Sequence, residues 1–260
     1  MSAVPAPRPT IIRVDDLSVV YEDAPVLEGV SFHIHAGDRM AIIGPNGAGK
    51  STLVKAMLGL LKTNRGSISI DGDPQRMGYV AQQDQLDWDF PVSVLDAVVM
   101  GMWREVGWLR LPGRKQRERA QKALERVGLG AFAARQIGEL SGGQRRRVFI
   151  ARALAQQADV LILDEPFAGV DVSAEAEMLG VLLRLNAEGI TLIVCTHDLE
   201  QAREHFNKVL ALRKKMIAFG SPQQVFTRAH LADLFGRRVV AFDGDEAQEV
   251  FIDEHACGDC

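Results

Sequence analysis

The sequence predicts an α/β fold, a mainly parallel sheet flanked by helices. Three apolar runs of strand length point there. Arg39-Met40-Ala41-Ile42-Ile43 precedes a glycine-rich stretch, after which Leu53, Val54, Met57 and Leu58 recur at helical spacing. Val160-Leu161-Ile162-Leu163 is a branched run closed by two acids, Asp164 and Glu165. Ile190 to Thr196 is a third run, followed by His197. Such continuous runs suit parallel strands covered on both faces by helices. An antiparallel β portion is expected near the N-terminus.

The glycine-rich stretch after the first strand reads Gly44-Pro45-Asn46-Gly47-Ala48-Gly49-Lys50-Ser51-Thr52. It fits the phosphate-loop pattern G-x-x-x-x-G-K-[ST] throughout. The glycines let backbone N–H groups turn inward around phosphate oxygens. The following helix N-terminus adds its partial positive charge. Lys50 is placed to reach the β- and γ-phosphates, and the Ser51 hydroxyl to ligate Mg²⁺. Asp164 ends a strand, where α/β folds bind ligands. A carboxylate there can hold Mg²⁺ through water. Glu165 can polarise the water that attacks the γ-phosphate. Leu140-Ser141-Gly142-Gly143-Gln144 precedes a helical segment, Arg145 to Gln157. Ser141 suits an N-cap, so this is a second anion-binding helix start.

At 260 residues the chain can bury a full α/β core. A formal charge of −4 gives no global case for nucleic acid. The basic run Arg114 to Arg126 carries Ala120, Leu124 and Val127 at helical spacing; a solvated helix face explains it better than a nucleic-acid patch. Met1 to Thr10 is proline-rich without an apolar h-region, and reads as a flexible lead-in rather than a secretory signal. No stretch approaches the roughly 18 apolar residues of a membrane span. Three cysteines fit a reducing cytosol rather than a disulfide scaffold. Cys195, inside the third run, reads as an inert buried thiol.

With these residues in this order, the sequence resembles the ATP-binding cassette ATPases, whose signature reads LSGGQ. The resemblance covers roughly residues 11–222. It implies a P-loop NTPase (RecA-like) core, an inserted helical subdomain, and ATP with Mg²⁺ as ligands. Gly44 to Thr52 and Ser141, Gly142, Gly143 and Gln144 would then contact nucleotide. Glu165 is the general base and Asp164, with Ser51, helps hold Mg²⁺. Gln82, after Gly78-Tyr79-Val80-Ala81, matches the Gln loop, a further catalytic and Mg²⁺-contacting position; its neighbour Gln83 could take that place instead. Asp171 matches the aspartate loop, and His197 the switch histidine that contacts the γ-phosphate. Tyr21 sits where the family places a ring that stacks on adenine, though it could be an ordinary strand aromatic. Arg146 departs from the glutamine that many members carry two residues after the signature. The family also pairs two chains head to tail, with ATP between one phosphate loop and the opposite signature.

Without a span of its own, a transporter ATPase needs a separate membrane permease. It would sit peripherally on the cytoplasmic face of the cell membrane. The stretch Asp87-Trp88-Asp89-Phe90-Pro91-Val92-Ser93-Val94-Leu95-Asp96-Ala97-Val98-Val99-Met100-Gly101 resembles ATPases of manganese, zinc and iron importers, as does Phe167-Ala168-Gly169-Val170-Asp171. That implies import of a divalent transition metal, manganese ahead of zinc or iron, delivered by an extracytoplasmic metal-binding protein. Trp88, Phe90 and Pro91 either dock on the permease or pack inside the helical lobe. Two other classes stay open: an exporter or other-substrate ATPase, and a soluble cassette protein acting on ribosomes or DNA. The single cassette and the short stretch from Thr52 to Glu139 speak against the latter.

Residues 1–10 read as the lead, 11–222 as the ATPase domain with its helical subdomain at about 86–157, and 223–260 as an extension. In the extension, Gln223 to Phe235 reads as helical, and Val239 to Phe242 and Val250 to Ile252 as short strands around Asp243-Gly244-Asp245. The terminal His255, Cys257 and Cys260 offer an imidazole and two thiols in a C-x-x-C arrangement, a regulatory metal site or a disordered tail.

Overall fold

The computed structural model describes residues 8–21, 24–81, 91–106 and 111–236. Its strands are β1 (Thr10–Tyr21), β2 (Ala24–His35), β3 (Arg39–Ile43), β4 (Arg65–Ile70), β5 (Met77–Val80), β6 (Val160–Asp164), β7 (Thr191–Thr196), β8 (Lys208–Arg213) and β9 (Lys215–Gly220). Its helices are α1 (Lys50–Met57), α2 (Val94–Val99), α3 (Trp103–Val106), α4 (Arg114–Arg126), α5 (Gly142–Ala155), α6 (Val172–Ala187), α7 (Leu199–His205), α8 (Pro222–Val225) and α9 (Arg228–Phe235). The described chain gathers into two compact units. One draws on residues within 1–13, 33–39 and 69–195, the other on residues within 14–32, 40–68 and 196–260.

In the first unit β5, β6 and β7 run parallel, with Tyr79 opposite Ile162 and Asp164 opposite Cys195. Every residue of β6 and β7 is buried, as their unbroken apolar runs require. Helix α5 lies close on β5. A Cβ on Gly78 would come within 2.5 Å of the Ala153 Cβ, so small residues on both sides set that approach. Helices α2, α4 and α5 fall in the same unit as these strands. Helix α4 buries Ala120, Ala123 and Leu124 and exposes Arg114, Lys115, Arg117, Lys122 and Arg126. Its exposed pairs, Arg114 with Glu118 and Arg117 with Asp96, contribute at most about 1 kcal/mol each. Ile190 is not part of the third strand; its N–H closes the end of α6 on the Leu185 carbonyl at 3.1 Å. The lead-in is engaged from Arg8 onward. Arg8 pairs at 2.8 Å with Asp38, whose carboxylate is wholly buried and needs a cation. The Pro9 carbonyl accepts from the Ala36 N–H.

In the second unit β3 runs parallel to β8, and β8 pairs antiparallel with β9. β1, β2 and β4 form a three-stranded sheet in the order β2-β1-β4, most of whose residues belong to this unit. Val14, Leu17, Val19, Leu27, Val30 and Phe32 fill its buried face. The segment read as one helix from Gln223 is two. α8 ends at Val225, and Thr227 starts α9 by accepting the His230 N–H. The two strands expected beyond it lie outside the described residues.

Candidate active site

In the second unit the phosphate loop joins β3 to α1 and folds back against β8 and β2. A Cβ on Gly44 would lie 2.1 Å from the Leu212 carbonyl oxygen, and one on Gly49 would lie 2.6 Å from Leu27 Cδ2. Both residues also have positive φ, 157° and 97°. A larger residue at Gly44 would have to move the backbone, and one at Gly49 would have to displace Leu27 while holding a strained φ. The turn between β8 and β9 supports the loop, since the Lys214 N–H donates to the Ala48 carbonyl at 2.8 Å. Ala48 in turn donates to the Pro45 carbonyl at 3.1 Å.

Lys50 is 7% exposed. Its Nζ donates to the Gly44 carbonyl at 2.6 Å and to the Pro45 carbonyl at 3.2 Å. A buried ammonium needs acceptors, and here the loop's own backbone supplies them. The positive charge is thus held against the loop, beside the N-terminus of α1. Gly49 is the N-cap there, and among the described residues no side chain caps that end. Ser51, Asn46 and Gly47 are exposed. Tyr21, the last residue of β1, is 58% exposed and offers a ring face to solvent. His197 is also exposed, between Thr196 and Asp198. The Thr196 hydroxyl accepts the Asp198 N–H at 3.0 Å, and Asp198 caps α7 on Gln201 N. The backbone on both sides of His197 is therefore fixed while its ring stays accessible.

In the first unit Asp164 ends β6 and is nearly buried. Tyr79, on the adjacent β5, hydrogen-bonds its carboxylate through the phenol. Burial, and then the negative charge of Asp164, push the Tyr79 pKa up to about 12, so it remains the donor. Glu165 leaves the strand with φ 48°, in the left-handed region. Its N–H donates to the Cys195 carbonyl at 3.0 Å, and its carbonyl accepts from the Ala168 N–H at 3.2 Å. Cys195 itself is buried in β7.

Ser141 caps α5. Its hydroxyl accepts the Gln144 N–H at 3.3 Å while the Gln144 side chain accepts the Ser141 N–H at 3.0 Å, a reciprocal capping box. Ser141 and Gly142 are exposed, whereas Gly143 is buried against α6. A Cβ on Gly143 would sit 3.1 Å from the Ala174 Cβ. Asp171 caps α6 by accepting the Ala174 N–H at 2.9 Å. The signature and the aspartate loop are thus neighbouring helix starts, and Arg146 of α5 donates to the Pro166 carbonyl beside Glu165.

The structure gathers the phosphate loop, Tyr21 and His197 in one unit, and Asp164, Glu165, Asp171 and the signature in the other. Gln82, Trp88, Phe90, His255, Cys257 and Cys260 lie outside the described residues; Pro91 is described, and exposed. Two contacts were not readable from the motifs, Tyr79 with Asp164 and Arg146 with Pro166. A phenol three residues before the Gln loop is the only sequence hint of the first. Among the described residues, no helix is long and apolar enough to cross a membrane. No group of three or more His, Cys, Asp or Glu among them could hold a metal ion.

Comparison with known proteins places this geometry. A family model described as ABC transporter matches residues 27–168. The zinc transport system ATP-binding protein TroB of Treponema pallidum (strain Nichols) is 46% identical over 233 residues, 88% of each chain. The manganese transport system ATP-binding protein MntB of Bacillus subtilis (strain 168) is 45% identical, over 88% of this chain and 93% of its own. Among solved structures, CbiO1 from Clostridium perfringens, part of the ABC transporter complex CbiONQ, superposes with a TM-score of 0.75. It is 32% identical, over 88% of this chain and 95% of its own.

Proposed function

This chain belongs to the ABC transporter family, and from that premise we propose that it is the ATP-hydrolysing subunit of an importer for divalent transition metal ions. Manganese is the favoured cargo, with zinc and iron next. The observation that carries the reaction is the phosphate loop, with Lys50 buried against the Gly44 and Pro45 carbonyls at the start of α1. Likeness to zinc and manganese transport subunits over 88% of the chain supports the cargo.

ATP is the substrate. The loop from Gly44 to Thr52 cradles its phosphates, with Lys50 turning from its backbone acceptors to phosphate oxygens. Tyr21 stacks on the adenine. Ser51 and Asp164 offer a hydroxyl and a carboxylate, the hard oxygen donors that Mg²⁺ prefers, and would hold it together with Gln82. When bound, that ion neutralises charge on the β- and γ-phosphate oxygens. Glu165 takes the proton from the attacking water. His197 contacts the γ-phosphate and keeps the geometry in line. Ser141, Gly142, Gly143 and Gln144 serve the nucleotide of a second copy in a head-to-tail dimer, and Asp171 of the aspartate loop is a further nucleotide-binding residue.

The partners are a membrane permease, an extracytoplasmic metal-binding protein acting through it, and that second copy. The chain works peripherally at the cytoplasmic face. Its ATPase domain spans 11–222, with the helical subdomain at about 86–157, and in the extension His255, Cys257 and Cys260 offer an imidazole and two thiols to a regulatory metal ion. Metal content of cells with the gene, without it, and with Glu165→Gln tests the cargo. Loss of manganese alone in both mutants is expected. Unchanged manganese, zinc and iron would overturn the importer reading and leave an ATPase of another transporter.

A further inference from the structure

Arg146 lies in the first turns of α5 and is half-buried. One of its guanidinium nitrogens, Nη1, donates to the Pro166 carbonyl at 3.1 Å. Pro166 follows Glu165 directly. Glu165 holds φ 48°, a conformation that costs an L-residue about 1–2 kcal/mol, so the surrounding structure must maintain it. Among the described residues, three hydrogen bonds hold the backbone of Glu165 and Pro166. The Glu165 N–H is fixed to β7 through the Cys195 carbonyl, and the Glu165 carbonyl is fixed within the turn by Ala168. The third is Arg146. Pro166 has no N–H, so its carbonyl is the one backbone handle that residue offers. Of the three, the Arg146 contact alone reaches the turn from the helix that begins at the signature.

We propose that Arg146 is a positioning residue for Glu165: its guanidinium holds the turn after β6 and ties that turn to the signature helix. It does not touch the reacting atoms. A guanidinium is a long-stemmed planar fork of N–H donors, able to hold a carbonyl while its other nitrogens bond elsewhere. The glutamine that many family members carry here has a shorter stem and fewer donors. Arg146 therefore brings to this carbonyl a longer stem and more donors than that glutamine has.

The test compares Arg146→Ala, Arg146→Gln and Arg146→Lys in the purified full chain, with ATP turnover and amide hydrogen exchange measured on each. In the Ala and Gln variants, kcat falls about 5–10-fold while KM for ATP stays within about 2-fold, the pattern of a displaced base. Exchange at residues 165–170 speeds up in both. Arg146→Lys, which keeps a long donor, retains at least about half of wild-type kcat. Wild-type turnover in the Ala and Gln variants overturns the role, and so does a loss of kcat without faster exchange at that turn. A lowered melting temperature in all three variants, with KM and kcat worsening together, also overturns it, because the arginine would then serve the fold alone. This role presumes Glu165 as the base, which Glu165→Gln tests separately. Normal hydrolysis in that variant removes the base assignment. An inactive Glu165→Gln beside a fully active Arg146→Ala removes only the role of Arg146.

Discussion

Among the described residues, two helices start on glycine-rich turns, and they close their ends differently. At α1 the N-cap is Gly49, and among the described residues no side chain caps the helix. At α5, Ser141 and Gln144 cap each other's N–H groups. The first end is built by backbone packing, with Gly44 against Leu212, Gly49 against Leu27, and the Lys214 N–H on the Ala48 carbonyl. The second is built by side chains that any sequence with Ser and Gln three residues apart can supply. A helix start without a capping side chain keeps its first-turn N–H groups for an anion. A self-capped start has two of those groups, the N–H of Ser141 and that of Gln144, engaged before any ligand arrives. The difference supports the proposal that α1 holds the phosphates and that α5 makes a secondary contact.

The comparison can be broken most severely at Lys50. Lys50→Ala removes the charge at the first helix start, and ATP hydrolysis should fall by ~10²-fold or more. Gly44→Ala comes next. The added methyl meets a backbone carbonyl, so the loop must shift; a loss of about 1–3 kcal/mol in denaturant unfolding and weaker nucleotide binding should accompany it. Ser141→Ala acts at the other helix start and should cost about 0.5–2 kcal/mol of stability. Its effect on ATP affinity of the isolated chain should be small, since α1 is untouched. Equal losses of affinity from Ser141→Ala and Lys50→Ala would erase the distinction between the two ends.

The smallest effect concerns Tyr79. An unfolded tyrosine gives up its proton near 10.0, whereas Tyr79 keeps its own to about 12. Its contribution to stability is therefore complete below pH 10 and is lost as pH rises toward 12. Tyr79→Phe should flatten that part of the stability profile, read by denaturant unfolding at stepped alkaline pH. An unchanged slope would mean that other groups carry it.

The same contrast explains what the sequence discloses. The phosphate loop, the Ser141 cap and the α4 helix are local, each written in fewer than about 15 consecutive residues with its own period or cap. Such features are legible in the order of residues alone. The supports are not. Lys214 reaches Ala48, Tyr79 reaches Asp164 and Arg146 reaches Pro166 across sequence separations that no local pattern encodes. The break between α8 and α9 is hidden for the opposite reason. Apolar spacing runs through it, and the helix restarts where the Thr227 hydroxyl accepts the His230 N–H. The left-handed Glu165 is equally illegible, because nothing in an Asp-Glu pair after a strand specifies positive φ.

The most direct test of the whole account is ATP binding and hydrolysis measured side by side for the wild-type chain and Glu165→Gln, each with Mg²⁺. The account predicts ATP affinity within about 2-fold of wild type and turnover lower by ~10²-fold or more in Glu165→Gln. Near-normal turnover in that variant would contradict it, since the general base would then lie elsewhere.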